Sequence, residues 1–444
     1  MNHDTSQLTN SFPVLAIVYV AASLLRTRPR QVRRHIKSKI RRLAKFIDKS
    51  AFIMPLVVDD NNVILLGNAR FEALKLLGIE SIPVIRVSHL DEGMIRALII
   101  ADNQFTVNAD WYKETLREEL LFLQQYLPVL GLVLIDLGFE TPQLDLTFGD
   151  LVLSADEEAP AAVLDRPSVT KLGDVIIMGV HKLICGDARH EKTYQALLGI
   201  ELAVMVFGDV PYNVKIDGHV CGNGAIQHKE FVMGAGEMTR EQFIAFMAEI
   251  FTLLRKFSSD GSIHMQCMDW RHGLEILTAA EQVGYDYINM ACWVKHSGGM
   301  GSLYRSQHEL IHIFKSGKGK HINNVMLGKY GRNRTNVWQY DGANSFSTAR
   351  RGDLELHSTT KSVDLVADAI MDCSNRDDVV LDPTAGSGTT LIAAERTGRV
   401  ARLIELDPFY CDVIVRRWQK ISGQKAVFAA TGRTFDETES TMEK

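Results

Sequence analysis

Two short segments carry residue types that could do chemistry. The first is the apolar run Val204-Met205-Val206-Phe207, followed by Gly208-Asp209-Val210-Pro211-Tyr212. An exocyclic amine on a base is a poor nucleophile while its lone pair is conjugated into the ring. A carboxylate together with a backbone carbonyl could accept both N–H bonds and favour the pyramidal nitrogen, with proline fixing the turn. A tyrosine could stack on a base drawn out of a duplex. Asp209, Pro211 and Tyr212 are therefore the candidate catalytic residues. Taken alone, the segment reads more simply as a strand-ending turn before a packed aromatic.

The second segment is Val379-Val380-Leu381-Asp382-Pro383-Thr384-Ala385-Gly386-Ser387-Gly388-Thr389-Thr390, an apolar strand running through a glycine turn into a helix. Glycines allow unusual dihedrals and close ligand approach, and free N–H groups at a helix start favour acceptor groups. One strand later, Glu405 in Ala401-Arg402-Leu403-Ile404-Glu405 is placed to accept both hydroxyls of a ribose. Asp382, Thr384, Gly386, Gly388 and Glu405 thus form a candidate site for a nucleoside-bearing cofactor. The pattern lacks the full G-x-G-x-x-G and the Walker lysine, which argues against NAD and ATP.

These segments need a sheet to hold them. From Lys171 onward, strand-like runs (Val175–Met178, Val204–Phe207, Ser262–Met265, Val379–Leu381, Ala401–Ile404) alternate with helical stretches (Arg240–Lys256, Trp270–Val283, Ser362–Asp372, Thr389–Thr397). That alternation predicts an α/β fold, a mostly parallel doubly wound sheet with helices on both faces. Residues 12–110 predict a separate small α/β unit, with a hairpin at Pro55–Leu66, a helix at Phe71–Leu77 and Asp91 as the N-cap of another. A helical extension and a linker occupy 111–165, with the acidic, small-residue run at 156–162 as the flexible part. Residues 426–444 read as a polar tail that frays after Phe435.

Composition bounds the rest. A chain of 444 residues, 46% hydrophobic and 23% charged, suits two or three globular domains. None of the six cysteines forms a C-x-x-C pair, which gives no zinc ribbon and no metal site, and none follows a proline, which disfavours a cytosine-C5 nucleophile. The early apolar run near Phe12–Leu25 is too short for a membrane span, and the expectation is a soluble, cytoplasmic protein. The net charge of −5 hides a basic block: no acid lies between Asp4 and Asp48, where ten arginines and lysines do. Such a block suits phosphate contact, though a solvated basic helix face has the same appearance. A second basic stretch, about 297–351, interleaves Arg305, Lys329, Arg332 and Arg334 with Tyr304, Tyr330, Trp338 and Tyr340, which suits phosphate contact and base stacking.

In their order, the two segments resemble the permuted (beta-class) amino-group DNA methyltransferases, where a D-P-P-Y loop precedes the S-adenosylmethionine loop. The resemblance runs from about Lys171 to Gly423, within a domain placed at 171–425. It implies S-adenosylmethionine as cofactor, double-stranded DNA as partner, and transfer to adenine N6 or cytosine N4. The leading Asp favours adenine, since cytosine-N4 enzymes often carry Ser there. Lys171–Asp174 and His181–Ala188 look like the family's opening segment, which implies adenine contact for Asp187 and Ala188. His357-Ser358-Thr359-Thr360-Lys361-Ser362 stands where the family has H-P-T-x-K-P, placing Thr359 and Lys361 by the methionine end of the cofactor. The segment at 297–351 falls about where that class has its target-recognition segment. Family members often dimerise, so a homodimer is implied as well.

The chain departs from the family at Val210 for the first loop proline, Thr384 for a usual Phe, and Ser358 and Ser362 for two prolines. These changes leave a second reading open, a DNA-binding or partition-like protein whose methyltransferase has lost turnover. Residues 14–110 resemble the partition-protein (ParB-like) nuclease superfamily through Val63–Gly78, Ile82-Pro83-Val84 and Ala101-Asp102-Asn103. The family's G-H-x-R phosphate-handling motif appears as Gly67-Asn68-Ala69-Arg70, with Asn68 in place of the histidine.

Overall fold

The structure is a computed structural model. It describes residues 15–29, 36–51, 54–108, 111–149, 167–213, 236–295, 298, 303–325, 333–340 and 361–442, and all structural statements concern these. The chain divides into two units, Met1–Phe148 and Gly149–Lys444.

The first unit comprises β1 (Ile17–Ala21), β2 (Arg26–Thr27), α1 (Lys37–Ser50), β3 (Leu56–Val58), β4 (Val63–Leu66), α2 (Asn68–Leu76), β5 (Ser81–Arg86), α3 (Glu92–Asn108), α4 (Lys113–Tyr126) and α5 (Thr141–Phe148). Its sheet has the order β1-β5-β3-β4-β2. The predicted hairpin is β3–β4, closed by Asp59, whose carboxylate accepts the N–H groups of Asn61 and Val63. Asp91 caps α3 by accepting the N–H of Met94 at 2.8 Å, as its position predicts. Leu56, Val58, Ile64, Leu74, Ile82 and Val84 are fully buried beneath Ala44 and Ile47 of α1. Each such side chain contributes roughly 2 kcal/mol of burial free energy.

The second unit comprises β6 (Val175–Met178), β7 (His181–Cys185), α6 (Glu191–Leu198), β8 (Ala203–Gly208), α7 (Arg240–Lys256), β9 (Ser258–Met268), α8 (Gly273–Gln282), β10 (Asp286–Val294), β11 (His308–Lys315), β12 (Val337–Gln339), α9 (Val363–Cys373), β13 (Val379–Asp382), α10 (Thr389–Thr397), β14 (Val400–Glu405), α11 (Pro408–Ser422), β15 (Val427–Phe428) and α12 (Phe435–Met442). Their sheet has the order β12-β10-β11-β9-β8-β13-β14-β7-β6-β15. The five central strands β9-β8-β13-β14-β7 are parallel throughout, and antiparallel pairs flank them on both sides. Alternation along β8 sends Met205 and Phe207 into one apolar cluster with α9, α10 and α11, and Val206 into another with α6, α7 and α8. Both faces of the sheet are therefore covered at its centre, which is why β8 and β13 read as near-continuous apolar runs.

Two expectations change. The stretch at 297–351 contributes β11 and β12 to the sheet, with Ile311 and Phe314 fully buried. Its basic surroundings hide the strand Leu310-Ile311-His312-Ile313-Phe314. The tail does not fray at Phe435. That ring is fully buried, and α12 is tied back by Arg416–Glu439 and by Gln419 donating to Asp436 at 2.9 Å. One large apolar side chain is enough to dock an otherwise polar helix. The expected linker at 156–162 lies outside the described residues.

Candidate active site

The topology brings five chain segments to one end of the sheet. β8 and β13 are parallel neighbours, so Asp209, just past β8, lies beside the end of β13. β9 runs parallel to β8 and brings up Cys267. β11 is antiparallel to β9, with Leu310 opposite Met268, so its first residues His308 and Glu309 reach the same end. β10 is antiparallel to β11 and delivers Lys295 one residue past its end. Lys361, just before α9, completes the group.

These side chains form one bonded cluster. Tyr212 donates its hydroxyl to Asp209 Oδ1 at 2.6 Å. Lys361 Nζ donates to Asp209 Oδ2 at 2.8 Å and to Tyr212 Oη at 2.9 Å, and lies 2.9 Å from Glu309 Oε2 as an ion pair. Lys295 Nζ holds the other oxygen, Glu309 Oε1. Lys361 is only 4% exposed at the side chain, against 22% for Asp209 and 15% for Glu309. Its ammonium also lies 5.3 Å from the Tyr212 ring centre and 5.8 Å from that of Trp293.

The cluster sets its own protonation. Burial pulls the Lys361 ammonium toward deprotonation, but the charges of Asp209 and Glu309 carry it well above the ordinary lysine value. Burial pushes the Glu309 carboxyl up, and Lys361 and Lys295 more than offset it, to about 2. Burial, with Asp209 and Glu309 beside it, raises the Tyr212 hydroxyl well above the usual range. Glu309 is thus a carboxylate, Lys361 an ammonium and Tyr212 a neutral phenol.

Asn213 anchors the loop from behind at φ 52°. Its amide donates to Met238 O at 2.9 Å and accepts the N–H of Gly236 at 3.1 Å. Pro211 lies in the turn between Val210 and Tyr212, and Val210 is buried in the cluster formed with Val206 and α7.

Next to it, the glycine turn joins β13 to α10. Gly386 and Gly388 have φ of 52° and 81°, and a Cβ on Gly388 would meet Ile414 at 3.1 Å, so the turn requires glycine there. Asp382 braces the turn from inside, accepting from the Thr384 N–H at 3.0 Å and the Thr390 hydroxyl at 2.6 Å. Burial, only partly offset by these bonds, pushes its carboxyl up to about 7. At the end of β14, Glu405 accepts the N–H groups of Asp407 at 2.9 Å and Gly386 at 2.8 Å, and burial pushes it also up to about 7. Thr384 Oγ1 is buried with no hydrogen-bond partner. A partnerless hydroxyl and a carboxylate with two lone pairs to spare are what a polar nucleoside ligand needs, so the residues fit the expected cofactor.

The remaining expected residues are placed less uniformly. Asp187 is held by Arg189, whose Nη2 lies 2.7 Å from Oδ2; burial raises its carboxyl, but Arg189 leaves it below the usual range. Ala188 is buried and accepts the Tyr194 hydroxyl through its carbonyl at 2.8 Å. Arg334, expected at phosphate, is committed internally. Its Nη1 donates to Asp368 at 2.8 Å, and its Nε lies 2.7 Å from Asp372 as a charge contact off the hydrogen-bond axis. Arg305 lies in the described stretch before β11. Thr359, Ser358, Lys329 and Arg332 fall outside the described residues. The stretch Gly298–Glu309 resembles one in family members with a partition-protein-like domain, but the sequence assigns no role to Glu309 or Lys295. The available signal was charge: Glu309 is the only acid between Asp286 and Asp341.

In the first unit, Gly67 (φ 98°) starts α2, and the Arg70 guanidinium folds back beside it, half-buried and donating to Pro55 O at 3.4 Å. Part of the basic block is consumed by ion pairs: Lys45 with Asp136, Lys39 and Arg42 with Glu140, and Arg28 with Glu92. Among the described residues, no helix is long and apolar enough to cross a membrane, and no cluster of ligating side chains forms a metal site.

Comparison with known proteins follows the same division. A family model described as DNA methylase matches residues 203–416, and one described as ParB N-terminal domain matches residues 7–103. The chain is 34% identical over 87 residues to the type II methyltransferase M.ScaI of Streptomyces caespitosus, which covers 20% of this chain and 29% of that protein. It is 24% identical over 229 residues to the type II methyltransferase M2.MboI of Moraxella bovis, 49% of this chain and 81% of that protein. Among solved structures, a DNA modification methylase of Thermus thermophilus is similar at 20% identity and a TM-score of 0.40, over 55% of this chain and 97% of that one. The chain thus carries a DNA methylase domain of the N6/N4 amino-methyltransferase type, preceded in sequence by a ParB N-terminal domain.

Proposed function

We propose that this chain transfers a methyl group from S-adenosylmethionine to an exocyclic amino group in double-stranded DNA, adenine N6 first and cytosine N4 second. The observation that carries the proposal is the Asp209 carboxylate beside the glycine turn of β13, each at the end of a neighbouring parallel strand. Bound between Glu405 and the turn at Gly386–Gly388, S-adenosylmethionine supplies an electrophilic methyl on a sulfonium.

The chain's own residues do the rest. Glu405 accepts ribose hydroxyls through its spare lone pairs and stays fixed by the Gly386 and Asp407 N–H groups. Asp209 accepts an N–H of the target amine, which frees the nitrogen lone pair from the ring. The Tyr212 phenol stays neutral, and its ring offers a face for the displaced base. The leading Asp, where cytosine-N4 enzymes often carry Ser, supports adenine.

The test incubates duplex DNA with radiolabelled S-adenosylmethionine and either wild type or D209A, then separates the methylated nucleosides. Label in N6-methyladenine with wild type alone is expected. Label in N4-methylcytosine moves the assignment to cytosine. No label with varied DNA favours a DNA-binding protein without turnover, and equal label from both proteins removes Asp209 from the chemistry.

A further inference from the structure

Asp209 keeps a lone pair to spare on each oxygen, as Glu405 does, but in the resting arrangement its charge is offset by an ammonium. Each oxygen has one partner, Tyr212 on Oδ1 and Lys361 on Oδ2. An amine taking up a methyl group gains positive charge. A neighbouring ammonium on Asp209 opposes that charge, because the ion pair as a whole is neutral. A free carboxylate in a buried site would be equally awkward before the base arrives, since an unpaired buried ion costs several kcal/mol.

Glu309 resolves the conflict. Its Oε2 lies 2.9 Å from Lys361 Nζ, close to the 2.8 Å separating Nζ from Asp209. The ammonium thus already sits between two carboxylates, and a small movement gives it wholly to either. Lys295 keeps Glu309 charged and anchored through its other oxygen. We infer that Glu309 is a positioning residue, a second seat that takes the Lys361 ammonium when the target amine reaches Asp209. Glu309 is too acidic to take the amine's proton, and it acts through Lys361 rather than on substrate. This inference rests on the methyl-transfer reading.

The test is a cycle of E309Q, K361M and the double variant, measured as methyl transfer at saturating DNA and cofactor. Calorimetric S-adenosylmethionine binding serves as the independent readout. With no second seat, Lys361 stays on Asp209, so E309Q should turn over on the order of 10- to 100-fold more slowly while binding cofactor like wild type. Removing the stranded ammonium should then help, and E309Q/K361M should turn over faster than E309Q. A merely structural glutamate predicts the opposite, a double variant worse than either single one.

E309Q at wild-type speed, or a double variant slower than E309Q, overturns the inference. If E309Q does not bind cofactor, E309D takes its place under the same criterion: slower than wild type, and restored by K361M. A silent wild type overturns the activity and the inference together. An active wild type with an unaffected E309Q overturns the inference alone.

Discussion

Lys361 Nζ lies 2.8 Å from Asp209 Oδ2, a contact between residues 152 positions apart in sequence. The pair joins the loop after β8 to the start of α9. Its energetics follow from burial. Removing the Lys361 ammonium leaves Asp209 without its ion-pair partner and Glu309 with Lys295 alone.

K361M should therefore destabilise the protein at neutral pH by roughly 3–5 kcal/mol. The pH dependence has a definite sign. Glu309 is held down to about 2 in the fold, so its pairing stabilises above the ordinary carboxylate value and is lost as pH falls toward 2. The gap in melting temperature between wild type and K361M should be widest above pH 5 and narrow on acidification. A constant gap from pH 7 to 3 would contradict this account.

Glu405 gives a second pH prediction, this time in binding. Burial raises it to about 7 in the absence of ligand. Ribose hydroxyls are accepted best by the ionised form, so affinity for S-adenosylmethionine should weaken as pH falls through 7 and level off above about 8. E405Q should bind weakly and with little pH dependence between 6 and 8.5. For the unliganded protein the sign reverses. A raised carboxyl stabilises below its unfolded value, and that contribution is lost as pH rises through 7. Calorimetric titration over this range reads the first effect, and thermal melting of wild type against E405Q reads the second.

Much of this was legible in sequence where one residue pattern answered to one physical demand. The apolar runs that became β8 and β13 are covered on both faces, so burial left an unbroken signal. The glycine turn was legible because φ of 81° beside Ile414 admits little else at Gly388. β11 was not, because His308, Glu309 and His312 interrupt its apolar run, and the partners of Glu309 and His312 lie on other strands and loops. Glu309 is explained only by Lys295 and Lys361, which come to it from β10 and from the start of α9. Arg334 shows the converse. A basic residue among aromatics has the composition of a nucleic-acid contact, but only the fold reveals Asp368 and Asp372 waiting on α9.

Val210 marks a departure from the family's double proline, and the structure gives it an occupation. Its side chain is buried with Val206, Phe243 and Met247. V210P would remove part of that contact while stiffening the turn. We expect a loss of about 1 kcal/mol in stability, as for a small buried deletion, and turnover within a few-fold of wild type. Melting curves and initial rates on the same preparation check both halves. A large rate gain would mean instead that the loop's missing rigidity limits the reaction.

Arg334 separates a structural from a DNA-binding role most cleanly. Its guanidinium stacks 4.9 Å from the Trp338 ring centre and pairs with Asp368 and Asp372, while Tyr340 also donates to Asp368. Asp372 is buried, so losing the arginine leaves a carboxylate in a dry environment. R334Q should cost roughly 3 kcal/mol of stability. A phosphate contact would behave differently, since each one released lowers the slope of log affinity against log salt by about 0.9. With Arg334 occupied by two carboxylates, that slope should be the same for wild type and R334Q when both are measured well below their melting temperatures. A slope reduced by about one, with stability unchanged, would return Arg334 to the DNA surface.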